Sequence, residues 1–471
     1  MTPKINIFLG FISMLLSSTL AAQCQIKGSD SLYQLEKHIE YYRLANGLHV
    51  RLLPLADKQT VTLASQFNVG ARNEAQGESG YAHLFEHMLF KGSEQAPGDT
   101  YAQQLTALGS SFNASTHFDY TNYFETLPTE AVELALFLDA DRFIRPSLNA
   151  ITVKNQQETV LQEMAQRIDN QPYISSAMEV LLAQVKDTPY GHGIIGTKED
   201  IIRSSPESLT AFHRAYYRPD AMQLSLVGKF PGHTKALIEQ NFGQWQAPLT
   251  PVKEFDELII QPSKVHAELV DERGPWPGLL LAWHTVGNNH PDAAAVKLLE
   301  SLLFQNIDSE LAKISQHDPA QLISYSLPFE LENHGITNLI LVPRARTSLD
   351  ELVAQVQSII AQSRQTRLSE IKLCELKQGW LNQQLTKLDD TQSIATMLSA
   401  TAIQDSTQPL TGQWQRINAI TAEDLQRVAQ TYFGENYLRV DLLPPWYIRL
   451  GKTLLEWLPD SVGNRLEEIV L

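Results

Sequence analysis

Three polar side chains interrupt an apolar segment, residues 80–92, which reads GYAHLFEHMLFKG. His83 and His87 are four residues apart, and Glu86 lies directly before the second histidine. On a helix, positions four apart share a face, and a position three apart lies beside them. Neutral imidazoles bind Zn²⁺, and a carboxylate beside the ion can accept a proton from a metal-activated water. The spacing therefore indicates a zinc-dependent hydrolase, with His83 and His87 as ligands and Glu86 as general base.

The same pattern has a plainer interpretation, a hydrogen-bond network inside a buried helix. Apolar residues surround the three polar ones, at Leu84, Phe85, Met88, Leu89 and Phe90. Buried imidazole and carboxylate groups need partners, and a metal ion supplies one. A catalytic zinc needs three protein ligands and an open position for water, so a third ligand must come from elsewhere in the chain.

The motif H-x-x-E-H is typical of inverzincins. With it, the chain resembles the family of pitrilysin, insulin-degrading enzyme and mitochondrial processing peptidase, in its smaller two-domain bacterial form. The similar segments follow in family order at residues 69–93, 112–128, 189–201 and 216–228. The resemblance spans nearly all of residues 41–444, strongly in the first half and loosely in the second, and it implies a zinc endopeptidase that cleaves unfolded or extended peptides.

The resemblance also assigns further site residues. It makes Glu163, in the helix that ends ETVLQEM, the third ligand of one zinc ion per chain. Seven residues earlier the family usually has a glutamate that supports the metal site from behind the ligands, and this chain has Gln156 there. Asn113 and Ala114 are implied to lie on an edge strand that pairs with the substrate backbone.

In the second half, active relatives place an arginine shortly before a tyrosine, and both residues bind substrate. Tyr325 matches the tyrosine, but no arginine occurs in residues 309–328. Family members enclose peptides in a chamber of four such domains, which implies a homodimer or a heterodimer with a related chain that lacks the zinc motif. We expect this chain to be the zinc-bearing subunit. The alternative is a catalytically weak or silent member that acts as a binding or assembly subunit.

The order of predicted elements favours two copies of one α+β unit. The helix-then-strand segments SLTAFHRAYYRPDAMQLSLVG and TAEDLQRVAQTYFGENYLRVDLL resemble each other. We predict homologous domains at residues 33–245 and 263–445, each a mixed, mostly antiparallel sheet covered by helices, facing each other like half a clam shell. Residues 246–262, with three prolines, are the predicted linker, and residues 446–471 form a helical extension.

Charge and the N-terminus bear on partners and location. The net charge of −16 disfavours nucleic acid as a partner. Residues 1–22 are typical of a secretory signal peptide, which predicts a periplasmic protein without stable membrane insertion. The alternative is an interaction protein anchored in the inner membrane by an uncleaved signal. Cys24 is a candidate for lipid attachment, although Gln23 stands where a small residue is expected, and with Cys374 it allows at most one disulfide.

Overall fold

The computed structural model describes residues 24–248, 250, 255, 260, 264–305, 308–316, 322–329, 331–343, 348–404 and 409–455. The expected signal peptide, residues 1–22, lies outside the described residues, and so do most of the predicted linker and residues 456–471 of the extension. Within the described ranges, no helix combines the length and apolar character needed to cross a membrane.

The first half builds a six-stranded sheet. Its strands are β1 (Glu40–Arg43), β2 (His49–Pro54), β3 (Thr60–Phe67), β4 (Ser111–Thr116), β5 (Thr121–Pro128) and β6 (Met222–Gly228). Its helices are α1 (Ser29–Glu36), α2 (Tyr81–Met88), α3 (Thr100–Ala107), α4 (Val132–Ile144), α5 (Ala150–Met164), α6 (Ile174–Ala183), α7 (Lys198–Arg203), α8 (Pro206–Tyr216) and α9 (Thr234–Phe242). The strand order is β1-β2-β6-β3-β5-β4, which leaves β4 at an edge. Only β2 and β6 pair in parallel.

The second half builds a five-stranded sheet. Its strands are β7 (Val265–Val270), β8 (Gly278–Thr285), β9 (Leu322–Tyr325), β10 (Gly335–Pro343) and β11 (Leu438–Leu443). Its helices are α10 (Ala293–Glu300), α11 (Glu310–Gln316), α12 (Leu349–Gln365), α13 (Glu370–Thr386), α14 (Thr391–Gln404), α15 (Gly412–Ala419), α16 (Ala422–Tyr432) and α17 (Trp446–Leu455). The order is β7-β11-β8-β10-β9, with β7 and β11 parallel. Apart from β1, the two sheets share one order and one parallel pair, which confirms the predicted α+β fold with two homologous domains.

Apolar cores fill the space between each sheet and its helices, and a third core joins the halves. This joining core includes Phe118 and Leu181 from the first half and Phe329 from the second. Two helices pack on the half to which they do not belong in sequence. Leu398 of α14 lies against the first sheet, and Leu32 of α1 is buried in the second core. The two halves are therefore interlocked by both packing and chain path.

Cys24 and Cys374 form a disulfide, the one bridge that the sequence allows. Cys374 lies on α13, and next to the bridge the side chain of Gln378 accepts a hydrogen bond from the Lys27 backbone N–H at 2.7 Å. Gln378 also donates to the Lys27 carbonyl at 3.0 Å. The segment before α1 is thus held on the second half. A thiol engaged in a disulfide is not available for lipid attachment, which counts against the lipid alternative.

An ion cluster also joins the halves. Arg72 follows β3, and its guanidinium contacts the Asp119 carboxylate at 2.9 Å and the Glu332 carboxylate of the second half. The Glu332 backbone N–H donates to Asp119 at 2.9 Å. Asp119 lies in the turn between β4 and β5, so the second half is attached directly to the end of the edge strand.

Candidate metal centre

Helix α2 is anchored at its start and along one face. The Glu74 carboxylate accepts hydrogen bonds from the backbone N–H groups of Gly80 and Ala82, both at 2.7 Å, and so caps the first turn. Gly80 has φ 92°, a left-handed conformation that favours glycine. Leu84 and Phe85 are fully buried in the first core. The apolar face thereby fixes the helix, and the polar residues point towards a cavity.

Three side chains meet on the wall of this cavity. The ligand atoms of His83, His87 and Glu163 lie within 4.8 Å of one another, and no other group of three or more His, Cys, Asp or Glu side chains in the described ranges is arranged in this way. Glu163 lies near the end of α5, which packs against α2. Its Oε2 is 3.7 Å from His83 Nε2 and 3.2 Å from His87 Nε2.

The donor set and its protonation fit a zinc ion. Burial and the neighbouring imidazole lower the pKa of His83 to about 4, so this ring is neutral at pH 7 and its nitrogen lone pair can bind a metal. The hydrogen bond from His87 holds the pKa of Glu163 below its usual value, so the carboxylate is charged. A catalytic zinc takes three protein ligands and keeps one position for water, and these two imidazoles and one carboxylate would supply such a set.

The cavity beside these residues has a volume of about 830 Å³. Glu86, Asn113 and Ala114 line it, and the latter two belong to the edge strand β4. Burial raises the pKa of Glu86. Thr116, at the end of β4, donates a hydrogen bond from Oγ1 to Glu86 Oε2 at 2.5 Å. The structure thus brings together the motif, Glu163 and the strand that sequence reasoning singled out.

Two other sequence candidates, Gln156 and Tyr325, do not line this cavity. Gln156 is buried in α5, and within the described part of the chain no hydrogen bond joins it to Glu163. Instead, Arg167 Nη1 contacts Glu163 Oε1 at 3.0 Å from a π-helical turn that follows α5. Tyr325 lies on β9, the edge of the second sheet, and lines a separate cavity of about 380 Å³. Neither Arg167 nor Thr116 belongs to the H-x-x-E-H motif, so the motif gives no signal for these two contacts.

Comparisons with known proteins agree with this site. Residues 52–198 match the family model described as insulinase, peptidase family M16, and residues 204–379 match the M16 inactive domain. The chain belongs to the M16 peptidase family. This confirms the family that the sequence resembles, and the first of the two matched segments contains the whole candidate metal centre.

Similar proteins span nearly the whole chain. The zinc protease PqqE of Helicobacter pylori is 25% identical over 432 residues, covering 87% of this chain and 94% of the relative. The mitochondrial-processing peptidase subunit beta of Lentinula edodes is 23% identical, covering 90% and 94%.

Solved structures share the fold. A protease from Helicobacter pylori superposes with a TM-score of 0.79 at 22% identity, covering 86% of this chain and 99% of that one. The periplasmic protease PqqL of Escherichia coli has a TM-score of 0.71 at 18% identity, and the match covers 92% of this chain but 50% of PqqL. The chain thus corresponds in fold to one half of PqqL.

Proposed function

We propose that this M16 family member is a zinc-dependent endopeptidase that cleaves unfolded or extended peptides in the periplasm, as the zinc-bearing subunit of a dimer. The observation that carries the proposal is the meeting of three ligand atoms within 4.8 Å on a cavity that Glu86 also lines. Relatives named as zinc proteases support the same chemistry. In this proposal His83, His87 and Glu163 hold one zinc ion.

The chain's own residues then divide the reaction between them. When bound, zinc acts as a Lewis acid that polarises the peptide carbonyl and activates the attacking water. Glu86 accepts the proton of that water and passes it to the leaving amine. The free edge of β4 at Asn113 and Ala114 binds the peptide backbone as an added strand. Main-chain pairing of this kind tolerates many sequences, which suits unfolded substrates.

The disulfide supports a location outside the cytoplasm. Disulfides form and persist in oxidising compartments such as the bacterial periplasm, and Cys24 lies two residues after the end of the expected signal peptide. N-terminal sequencing of the mature protein tests this part of the proposal. A chain that begins near residue 23 agrees with it, whereas an intact residue 1 in the membrane fraction supports the inner-membrane alternative.

Two observations support a dimer. The chain matches half of PqqL, and Tyr325 does not line the cavity of the metal residues in its own chain. The lack of an arginine in residues 309–328 favours a heterodimer in which a related chain without the zinc motif completes the substrate contacts. Co-expression with such a chain should raise peptidase activity sharply. Equal activity of the purified chain alone would contradict the heterodimer.

The decisive experiment measures cleavage and metal in one sample. The purified mature protein is incubated with a mixed library of unstructured peptides, and its zinc is quantified beside Glu86→Gln and a control, Glu158→Gln, which changes an exposed residue of α5. We expect about one zinc per chain in all three proteins and loss of cleavage in Glu86→Gln only. If all three proteins bind zinc and none of them cleaves the peptides, the result would favour the silent binding subunit or a missing partner.

A further inference from the structure

Glu86 is held by a single hydrogen bond. Within the described residues, Thr116 is the only group that donates to its carboxylate, from Oγ1 to Oε2 at 2.5 Å. A glutamate side chain has several rotatable bonds and loses its orientation when nothing restrains it. With one oxygen bonded to Thr116, the second oxygen remains for the proton of the attacking water.

The hydroxyl of Thr116 is itself fixed in place. Thr116 is the last residue of β4, and the carbonyl of the next residue, His117, accepts a hydrogen bond from the Ala71 backbone N–H at 3.1 Å. Phe112 and Ala114 share the face of Thr116, because side chains alternate along a strand, and both pack against the first core. The strand therefore presents this hydroxyl to Glu86 from a restrained backbone.

We propose that Thr116 is a positioning residue that orients Glu86 for proton transfer. This inference rests on the proposed peptidase function. The strand that carries Thr116, β4, is also the strand proposed to bind the peptide, so one strand positions both the substrate and the base Glu86. Loss of the Thr116 hydroxyl should therefore lower kcat and leave both KM and zinc content unchanged.

Two substitutions at this position test the inference. Thr116→Val keeps the shape of the side chain and removes the hydroxyl, and we expect kcat to fall about tenfold to a hundredfold, as for the loss of a hydrogen bond to a charged group. Thr116→Ser keeps the hydroxyl and should restore most of kcat. Steady-state kinetics on one peptide, with zinc measured in each sample, separates kcat, KM and metal content.

Thr121→Val is the matched control, because Thr121 pairs with Thr116 across the two strands and donates to the Val69 carbonyl at 2.8 Å. It should keep the wild-type kcat, and thermal melting of every variant detects misfolding. The inference is wrong if Thr116→Val keeps the wild-type kcat, if it loses zinc in proportion to activity, or if Thr116→Ser is as slow as the valine variant. If the wild-type chain binds zinc but cleaves nothing, both alone and together with the related chain that lacks the zinc motif, the proposed function is wrong and so is this inference.

Discussion

Replacing Arg72 with methionine should destabilise the protein far more than the loss of an exposed ion pair. Arg72 is 8% exposed and joins the two halves. Its guanidinium contacts Asp119 at 2.9 Å, the Glu332 carboxylate, and the Tyr190 hydroxyl at 3.3 Å. Methionine has a similar length, so it fills much of the space but leaves both carboxylates without this cation.

The magnitude follows from what remains around the two carboxylates. Removing one partner of a buried ion pair costs about 3–5 kcal/mol. Asp119 keeps hydrogen bonds from the Tyr190 hydroxyl at 2.6 Å and from the Glu332 backbone at 2.9 Å, and the Glu332 side chain is 22% exposed to water. We therefore expect the lower end, about 3 kcal/mol, against an ordinary unfolding free energy of about 5–15 kcal/mol.

The loss should also depend on pH. Burial raises the pKa of Asp119, whereas Arg72 counteracts this rise. Without Arg72 the folded-state pKa rises further above the unfolded value, so the folded variant binds a proton at a higher pH than the unfolded chain does. A carboxyl group whose pKa is higher in the folded state lowers the free energy of unfolding as the pH increases. The deficit of Arg72→Met should therefore shrink as the pH falls from neutral towards the ordinary carboxyl range.

Urea unfolding followed by tryptophan fluorescence measures this effect. The set comprises Arg72→Met, Glu332→Gln, their combination, and a control, Arg367→Met, whose ion pair with Glu423 is 60% and 70% exposed and should contribute less than about 1 kcal/mol. Because Glu332→Gln removes a charge that Arg72→Met leaves unpaired, the two changes should be non-additive by about 1 kcal/mol or more. A cost no larger than that of Arg367→Met, or simple additivity, would refute the reasoning.

Three further outcomes test the metal site and the disulfide. Glu163→Gln should abolish stoichiometric zinc, measured by metal analysis after dialysis against a competing chelator. Burial lowers the pKa of His83 from 6.5 to about 4, so in this range the unfolded metal-free chain binds a proton that folded His83 does not. The free energy of unfolding should therefore fall as the pH drops through this range, and His83→Asn should make this dependence shallower by the contribution of one histidine, because other buried histidines, such as His334, have lowered pKa values too. Cys374→Ser removes the disulfide between two residues that are 350 apart in sequence. The free energy of unfolding, measured in urea, should fall by about 4 kcal/mol, and trypsin should cleave faster after Lys27.

Local geometry made part of the structure predictable from sequence. The spacing of His83, Glu86 and His87 places them together on any helix, whatever the rest of the fold. The pair Asn46 and Gly47 predicts a turn, and β1 and β2 do pair across it, with Gly47 at φ 100°. The internal similarity of the two halves predicted two sheets of one topology, because each copy must fold by the same pattern of burial.

Contacts between segments that are distant in sequence could not be predicted from the sequence alone. Thr116 meets Glu86 only because β4 lies beside α2, and Arg72 meets Glu332 only because the halves interlock. Gln156 shows the limit most clearly. The family pattern made it the candidate for supporting Glu163, yet it is buried without a bond to that ligand, and Arg167 takes the contact. A single residue's surroundings depend on packing, which spacing does not encode.

If the protein forms a homodimer, the repeated fold gives a reason to expect Tyr325 of one chain at the metal site of the other. By strand order β9 corresponds to β4, and by its place in the chain after β8 helix α10 corresponds to α2, which follows β3. Helix α10 has no histidine, and β9 ends at Tyr325 as β4 ends at Thr116. The second half thus keeps the helix and the edge strand but not the metal-binding residues, and Tyr325 lines the cavity beside that strand. In a dimer, a peptide bound to β4 of one chain can contact Tyr325 of the other chain only if the metal-site cavity of the first faces the Tyr325 cavity of the second.

Complementation tests this arrangement for a homodimer, the alternative to the heterodimer proposed above. Glu86→Gln lacks the base but keeps Tyr325, whereas Tyr325→Phe keeps the base and loses the tyrosine hydroxyl. If each site takes Tyr325 from the facing subunit, mixed dimers contain one site with both groups, because the Glu86→Gln chain supplies the hydroxyl to the intact Glu86. Mixing two inactive variants should then restore cleavage after subunit exchange. If the two groups act within one chain, every site in the mixture carries one defect and no activity returns.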